Sequence, residues 1–171
     1  MSQLAITVLG HDRPGIIAAT TLALADLGVN IEDSSMTLLR GHFAMTLVTD
    51  GSVGVDDTKA ALAFLEVDET LTVTVFEMPD EDEANRGAPY VLSVHGGDRP
   101  GIVARVVGVV AQAGGNVTDL STRLAGPLYV LVAECDFPES ADMDAVHGSI
   151  REAASDLGVA ASLRAVESDE L

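Results

Sequence analysis

The residues best suited to chemistry in this chain occur twice. Gly10-His11-Asp12-Arg13-Pro14-Gly15-Ile16 returns as Gly96-Gly97-Asp98-Arg99-Pro100-Gly101-Ile102, 86 residues later. A helix that opens on Pro-Gly presents backbone N–H groups with no intrahelical partner. Together with the helix dipole they form an anion site suited to a carboxylate. Gly15 and Gly101 have no side chain to keep a ligand off the backbone, and Asp12 and Asp98 could accept from an ammonium. A zwitterionic amino acid needs both kinds of group. Asn30 and Asn116, each just past a glycine helix stop, would add further donors and acceptors. A purely structural reading accounts for the same residues. Asp can cap the helix N–H groups, Pro fits a first helical turn, and Gly-x-Asn makes a good helix exit. On the residues alone both readings stand.

The other reactive residue types form no constellation. Cys135 is the only cysteine, so an intrachain disulfide and a thiolate metal cluster are ruled out, and a buried strand position is expected for it. His42 and His147 have no Cys or His at ligand spacing and read as surface histidines. No P-loop and no nucleophile elbow is present. No metal and no cofactor is expected.

The elements that must position the turns follow from hydrophobic period. Leu4–Leu9 reads as a strand and Pro14–Leu27 as a helix stopped by Gly28. Asn30–Leu39 and His42–Thr49 flank Arg40-Gly41 as a hairpin, Val55–Leu65 reads as a second helix, and Glu69–Glu77 alternates as a strand. The order β-α-β-β-α-β recurs as Pro89–His95, Pro100–Ala113, Asn116–Ala125, Leu128–Asp136, Ala141–Leu157 and Val159–Val166. Positions 6–50 align without a gap on 92–136 with 15 identities, so a whole folding unit is duplicated. The fold class is α+β. Two ferredoxin-like units are expected, each a four-stranded antiparallel sheet with two helices on one face. The expected domains are 1–78 and 89–171, joined by an acidic, solvated linker at 79–88. The tail 167–171 is expected to fray.

Composition narrows the function. The net charge is −18 with only nine Lys and Arg, which argues against direct contact with nucleic acid or an anionic membrane. The N-terminus lacks signal-peptide character and no apolar run is long enough to span a bilayer, so a cytoplasmic location is expected. Units this small, with exposed sheet edges, call for pairing within the chain or in a homodimer.

A strand, Asp-Arg-Pro-Gly-Ile, a helix and Gly-Val-Asn-Ile resemble the ACT domain, and the resemblance covers nearly the whole chain twice. Two such units without another domain resemble the glycine cleavage system transcriptional repressor type. The turn also resembles the ACT units of uridylyltransferases and formyltetrahydrofolate deformylases. The resemblance implies a non-catalytic regulatory protein that binds a small amino acid where two ACT units meet. The turn of one unit would face the start of the second strand of its neighbour. Carried over by position, the ligand contacts would be Asp12, Gly15 and Ile16 with Asn30 and Ile31, and Asp98, Gly101 and Ile102 with Asn116 and Val117. Serine-sensing relatives carry Asn at the positions of Asp12 and Asp98, and His at those of Gly10 and Gly96. The departures argue against serine, and loss of the His would leave more room. The output would be altered association with a protein partner, in transcriptional control of amino-acid metabolism. The alternative is an assembly module without a ligand. An enzyme would need a catalytic domain for which no residues remain.

Overall fold

Alternating apolar residues turn one face of most strands toward the helices, and this periodicity builds both cores. The computed structural model describes residues 2–79 and 87–166. They form two compact units. The first runs β1 (Ser2–His11), α1 (Ile16–Asp26), β2 (Asn30–Leu39), β3 (His42–Gly51), α2 (Val55–Leu62), a 3-10 turn (Ala63–Glu66) and β4 (Leu71–Glu77). The second runs β5 (Ala88–Gly97), α3 (Ile102–Gln112), β6 (Asn116–Ala125), β7 (Leu128–Phe137), α4 (Met143–Leu157) and β8 (Val159–Ala165). The strand orders are β2-β3-β1-β4 and β6-β7-β5-β8, with every pair antiparallel. The expected fold class is what the chain adopts. The linker positions 80–86 and the tail 167–171 lie outside the described residues.

In the first unit Leu4, Ile6 and Val8 of β1 pack with Phe43, Met45 and Leu47 of β3 against Ile16 and Leu24 of α1. In the second, Leu92 and Val94 pack with Leu131, Ala133 and Cys135 against Ile102, Val106 and Val110. Cys135 is buried as expected, and burial, with Asp136 adding a smaller contribution, raises its thiol pKa.

Several boundaries differ from the sequence reading. The strand β1 extends to His11, because its pairing with β3 continues through Gly10↔Phe43 and His11↔His42. The helix α1 begins only at Ile16, so Pro14 and Gly15 precede it. The second helix breaks at Leu62 into a 3-10 turn. With three residues per turn, positions 62 and 65 eclipse, and Leu62 and Leu65 are both buried. The hairpin at Arg40-Gly41 has positive φ at both central residues, the type I′ geometry that suits strand twist.

Candidate functional site

In both units Gly-Ile opens the first helix in the same backbone geometry. Gly15 precedes α1 with φ 92°, and Gly101 precedes α3 with φ 91°. This left-handed conformation costs an L-residue about 1–2 kcal/mol, so glycine is required by the backbone. A β carbon at either position would meet nothing within 4 Å, so the space in front is open. Ala19 N donates to Gly15 O at 2.9 Å, and Arg105 N to Gly101 O at 2.9 Å. These are the first intrahelical bonds, which leaves the N–H groups of residues 16–18 and 102–104 ahead of the ladder. No side chain caps either helix.

That last fact corrects the capping reading of Asp12. Asp12 is exposed and leaves the helix N–H groups free. Its own N–H donates to Gly41 O at 3.1 Å, tying the turn to the β2–β3 hairpin. Pro14 lies in the turn and not in the helix. The chain does cap a helix elsewhere: Asp142 Oδ1 accepts from Ala145 N at 3.1 Å at the start of α4.

Around the first turn lies a groove of about 280 Å³. Asp12, Gly15 and the start of α1 form one wall, and Met36 and Phe43 form the other. Arg13 is drawn to one side by Asp68, with Nε 3.7 Å from Oδ2. Asp68 also accepts from the Thr70 hydroxyl at 2.8 Å and the Thr70 N–H at 3.2 Å. The Thr70 bonds, hydroxyl first, and then the Arg13 charge lower the carboxyl pKa below its ordinary 3.8. In the second unit the positions of Met36 and Phe43 are taken by Thr122 and Tyr129. The Arg99 guanidinium there approaches Gly158, whose β carbon would come within 3.4 Å of it.

The two halves of each expected site are not brought together within one unit. Asn30 pairs with Asp50, and Asp50 with Gln3. Gln3 is eight residues from His11 along β1, or about 26 Å at 3.3 Å per residue. Asn116 stands likewise opposite Asp136 at the far end of the second sheet. Ile31 and Val117 are half-buried, and a register shift follows each of them in the strand. Within a unit, the turn meets the far end of β2 at Met36 instead. Gly10 also departs from expectation: a β carbon there would run into the Thr70 carbonyl, and at Gly96 into Val159. These glycines serve close strand packing and leave no extra room for a ligand.

Sequence reading missed the Met36–Phe43 wall, which depends on long-range pairing. It also missed His11 facing His42 across β1 and β3, with ring centroids 6.3 Å apart. Among the described residues no group of three or more His, Cys, Asp or Glu could hold a metal.

Residues 2–76 match the family model of the ACT domain, and residues 90–147 match a second ACT domain model. The chain belongs to the ACT-domain family. ACT domains are regulatory modules that generally bind amino acids. Among curated relatives, a UPF0237 protein of Streptococcus mutans is 37% identical over 70 residues, 41% of this chain and 80% of the relative. A UPF0237 protein of Methanopyrus kandleri is 48% identical over 50 residues, 29% of this chain and 56% of the relative. This chain thus spans little more than half of the Methanopyrus protein. Among solved structures, a protein of unknown function from Galdieria sulphuraria superposes with a TM-score of 0.82 at 26% identity, covering 97% of this chain and 99% of that one. A protein assigned as a glycine cleavage system transcriptional repressor superposes with a TM-score of 0.71 at 18% identity, covering 97% and 98%. That second likeness is one of fold. Among the described residues, no helix of the ACT units is long and apolar enough to cross a membrane.

Proposed function

We propose that this tandem ACT protein is a non-catalytic regulator that binds a small amino acid at its strand–helix turns and passes the signal to a partner protein. The observation that carries the reading is the doubled, uncapped helix start: a left-handed glycine, free N–H groups and an adjacent aspartate left out of capping. The N–H groups would take the ligand carboxylate, and Asp12 or Asp98 its ammonium. Ile17, Met36 and Phe43 at the first turn favour an aliphatic side chain. Asn30 with Ile31, and Asn116 with Val117, would complete each site from a neighbouring unit, because their own turn is at the far end of the sheet. That requirement supports pairing of ACT units, within the chain or in a homodimer. The domain limits 1–78 and 89–171, a cytoplasmic setting and an output in transcription through a protein partner belong to the same reading.

Calorimetry and thermal shift against the common amino acids test it. The expected result is heat and a raised Tm with one or a few small amino acids. Both should vanish in Asp12→Ala/Asp98→Ala while the fold is kept. No response to any amino acid would leave a ligand-free assembly module. The exposed apolar residues on β1, β2 and β4 (Leu9, Leu39 and Phe76) would then mark its contact surface.

A further inference from the structure

Each sheet has two outer strands, β2 and β4 in the first unit and β6 and β8 in the second, and outer strands present backbone groups with no ladder partner. Of these, β4 and β8 are the ones beside the second helix of each unit. In the first unit the β4 edge is occupied by a side chain of the chain itself. Val73, opposite Val8, donates its N–H outward to Glu66 Oε1 at 2.9 Å. The second halves of the two units correspond at a spacing of 88 residues: Thr58, Leu62 and Leu65 match Val146, Ile150 and Ala153, all buried. The same spacing takes Val73 to Ala161, which faces Val94 as Val73 faces Val8. It takes Glu66 to Ala154, a buried methyl that supplies no carboxylate.

Beside Ala161 the second unit has a groove of about 550 Å³ between α4 and β8. Ala161 and Leu163 form its strand wall, and His147 and Arg151 its helix wall. Arg164 stands at its rim, at the position of Phe76 in the first unit. Strand alternation puts it on the sheet face away from α4, so Arg151 and Arg164 flank the β8 edge from opposite faces. Asp144 is the one carboxylate among the lining residues. Among the described residues, Arg13 is held by Asp68 and Arg105 by Asp156, but Arg151 and Arg164 are held by no carboxylate. In a chain of net charge −18, two arginines beside one open strand edge are a local inversion of sign.

We propose that the α4–β8 groove binds an extended acidic segment of a partner protein, added as a strand to β8 with its carboxylates toward Arg151 and Arg164. Main-chain bonds to the outward groups of Ala161 and Leu163 supply strand addition, and the arginines supply the charge preference. In the sister unit the N–H at the same edge position, Val73, donates to the Glu66 carboxylate.

The test uses the full chain and a fluorescein-labelled Glu-Val peptide of Glu-Glu-Val repeats, which sets carboxylates on both faces of an added strand, with a Lys-Val peptide of the same pattern and length as control. The Glu-Val peptide should bind, more weakly as salt is raised, and should shift the amide resonances of Ala161 and Leu163. Arg151→Glu/Arg164→Glu should weaken binding about tenfold or more. Ala161→Pro should weaken it as well, since it removes the outward N–H from an edge strand that tolerates proline. Equal binding of the Lys-Val peptide, or unchanged binding in the arginine variant, would overturn the proposal. So would failure of the Glu-Val peptide to bind while Ala161→Pro shifts the sedimentation coefficient, which would make a second copy the occupant. The amino-acid response at Asp12 and Asp98 should be intact in the arginine variant, so the two readings fail separately.

Discussion

The two ACT units solve one packing problem in opposite ways. In the first, Val29 after α1 fills the space beside Gly51 at the end of β3, and a β carbon on Gly51 would lie 3.4 Å from Val29 Cγ2. In the second, the equivalent positions are Gly115 and Phe137. Phe137 fills the space from the other side, and a β carbon on Gly115 would lie 2.8 Å from its ring. Phe137 also meets Tyr90 edge to face, with ring centroids 5.4 Å apart. Duplication has conserved volume and let residue identity drift, as close packing permits. The turns behave differently. There the φ of Gly15 and Gly101 agrees to within a degree, and Asp-Arg-Pro-Gly-Ile is identical. The difference between the copies at Val29/Gly115 is accounted for by packing, whereas Met36 and Phe43, replaced by Thr122 and Tyr129, line the groove at the first turn.

The largest expected effect breaks the packing half of this comparison. Phe137→Ala should cost the second unit about 3–5 kcal/mol, and Gly115→Val about 1–3 kcal/mol from overpacking. Combined as Gly115→Val/Phe137→Gly, which recreates the first unit's solution, the losses should be strongly non-additive. Hydrogen exchange at Leu92 and Leu131 would report the second unit, and Ile6 and Leu47 the first, which should be little changed. Additive losses would mean that the two positions do not share one space.

Much of this architecture is legible in the sequence because period and punctuation are local. Asn30–Leu39 and the turn at Arg40-Gly41 follow from alternation and from which residues tolerate positive φ. The matched turns at 12–16 and 98–102 follow from identity at one spacing. Four features were not legible. The 3-10 break after Leu62 depends on Leu65 finding the core, which no local pattern specifies. The absence of a cap by Asp12 depends on Gly15 taking the left-handed conformation, because the motif alone suits a capping aspartate equally well. The Met36–Phe43 wall and the Glu66–Val73 bond join residues through the sheet, so they need register as well as composition.

A second comparison sets a helix start that is capped against two that are not. Asp142→Ala removes an observed cap and should cost about 1 kcal/mol. Asp12→Ala and Asp98→Ala remove no cap and should each change stability by less than about 0.5 kcal/mol in urea titrations without ligand. The counterpart of Asp142 in the first unit is Gly54, which makes no side-chain cap bond, and Gly54→Asp should add a few tenths of a kcal/mol at about the level of that difference. A loss of about 1 kcal/mol on removing Asp12 would restore the capping role and weaken the case for a ligand.

The smallest expected effect lies at the loop that holds Arg13 in the first unit. The Asp68 pKa is lowered below 3.8, chiefly by the Thr70 hydroxyl, then by the Thr70 N–H and the Arg13 charge. A group whose folded pKa is depressed contributes stability that is fully present above its unfolded value. That contribution is lost as pH falls through the folded value. The first unit should therefore lose an increment of stability below about pH 3.8, and Asp68→Asn should remove that part of the slope. Thr70→Val should flatten it more than Arg13→Ala, because the hydroxyl bond is the larger cause. Salt separates the same two contributions, since an exposed ion pair at 3.7 Å is screened while the short bond at 2.8 Å is not. The check is Tm against pH at low and high salt for the three variants. If Arg13→Ala flattens the slope most, Arg13 holds Asp68 ionised, and the contrast between Arg13 on Asp68 and Arg99 over Gly158 becomes one of charge and not of hydrogen bonding.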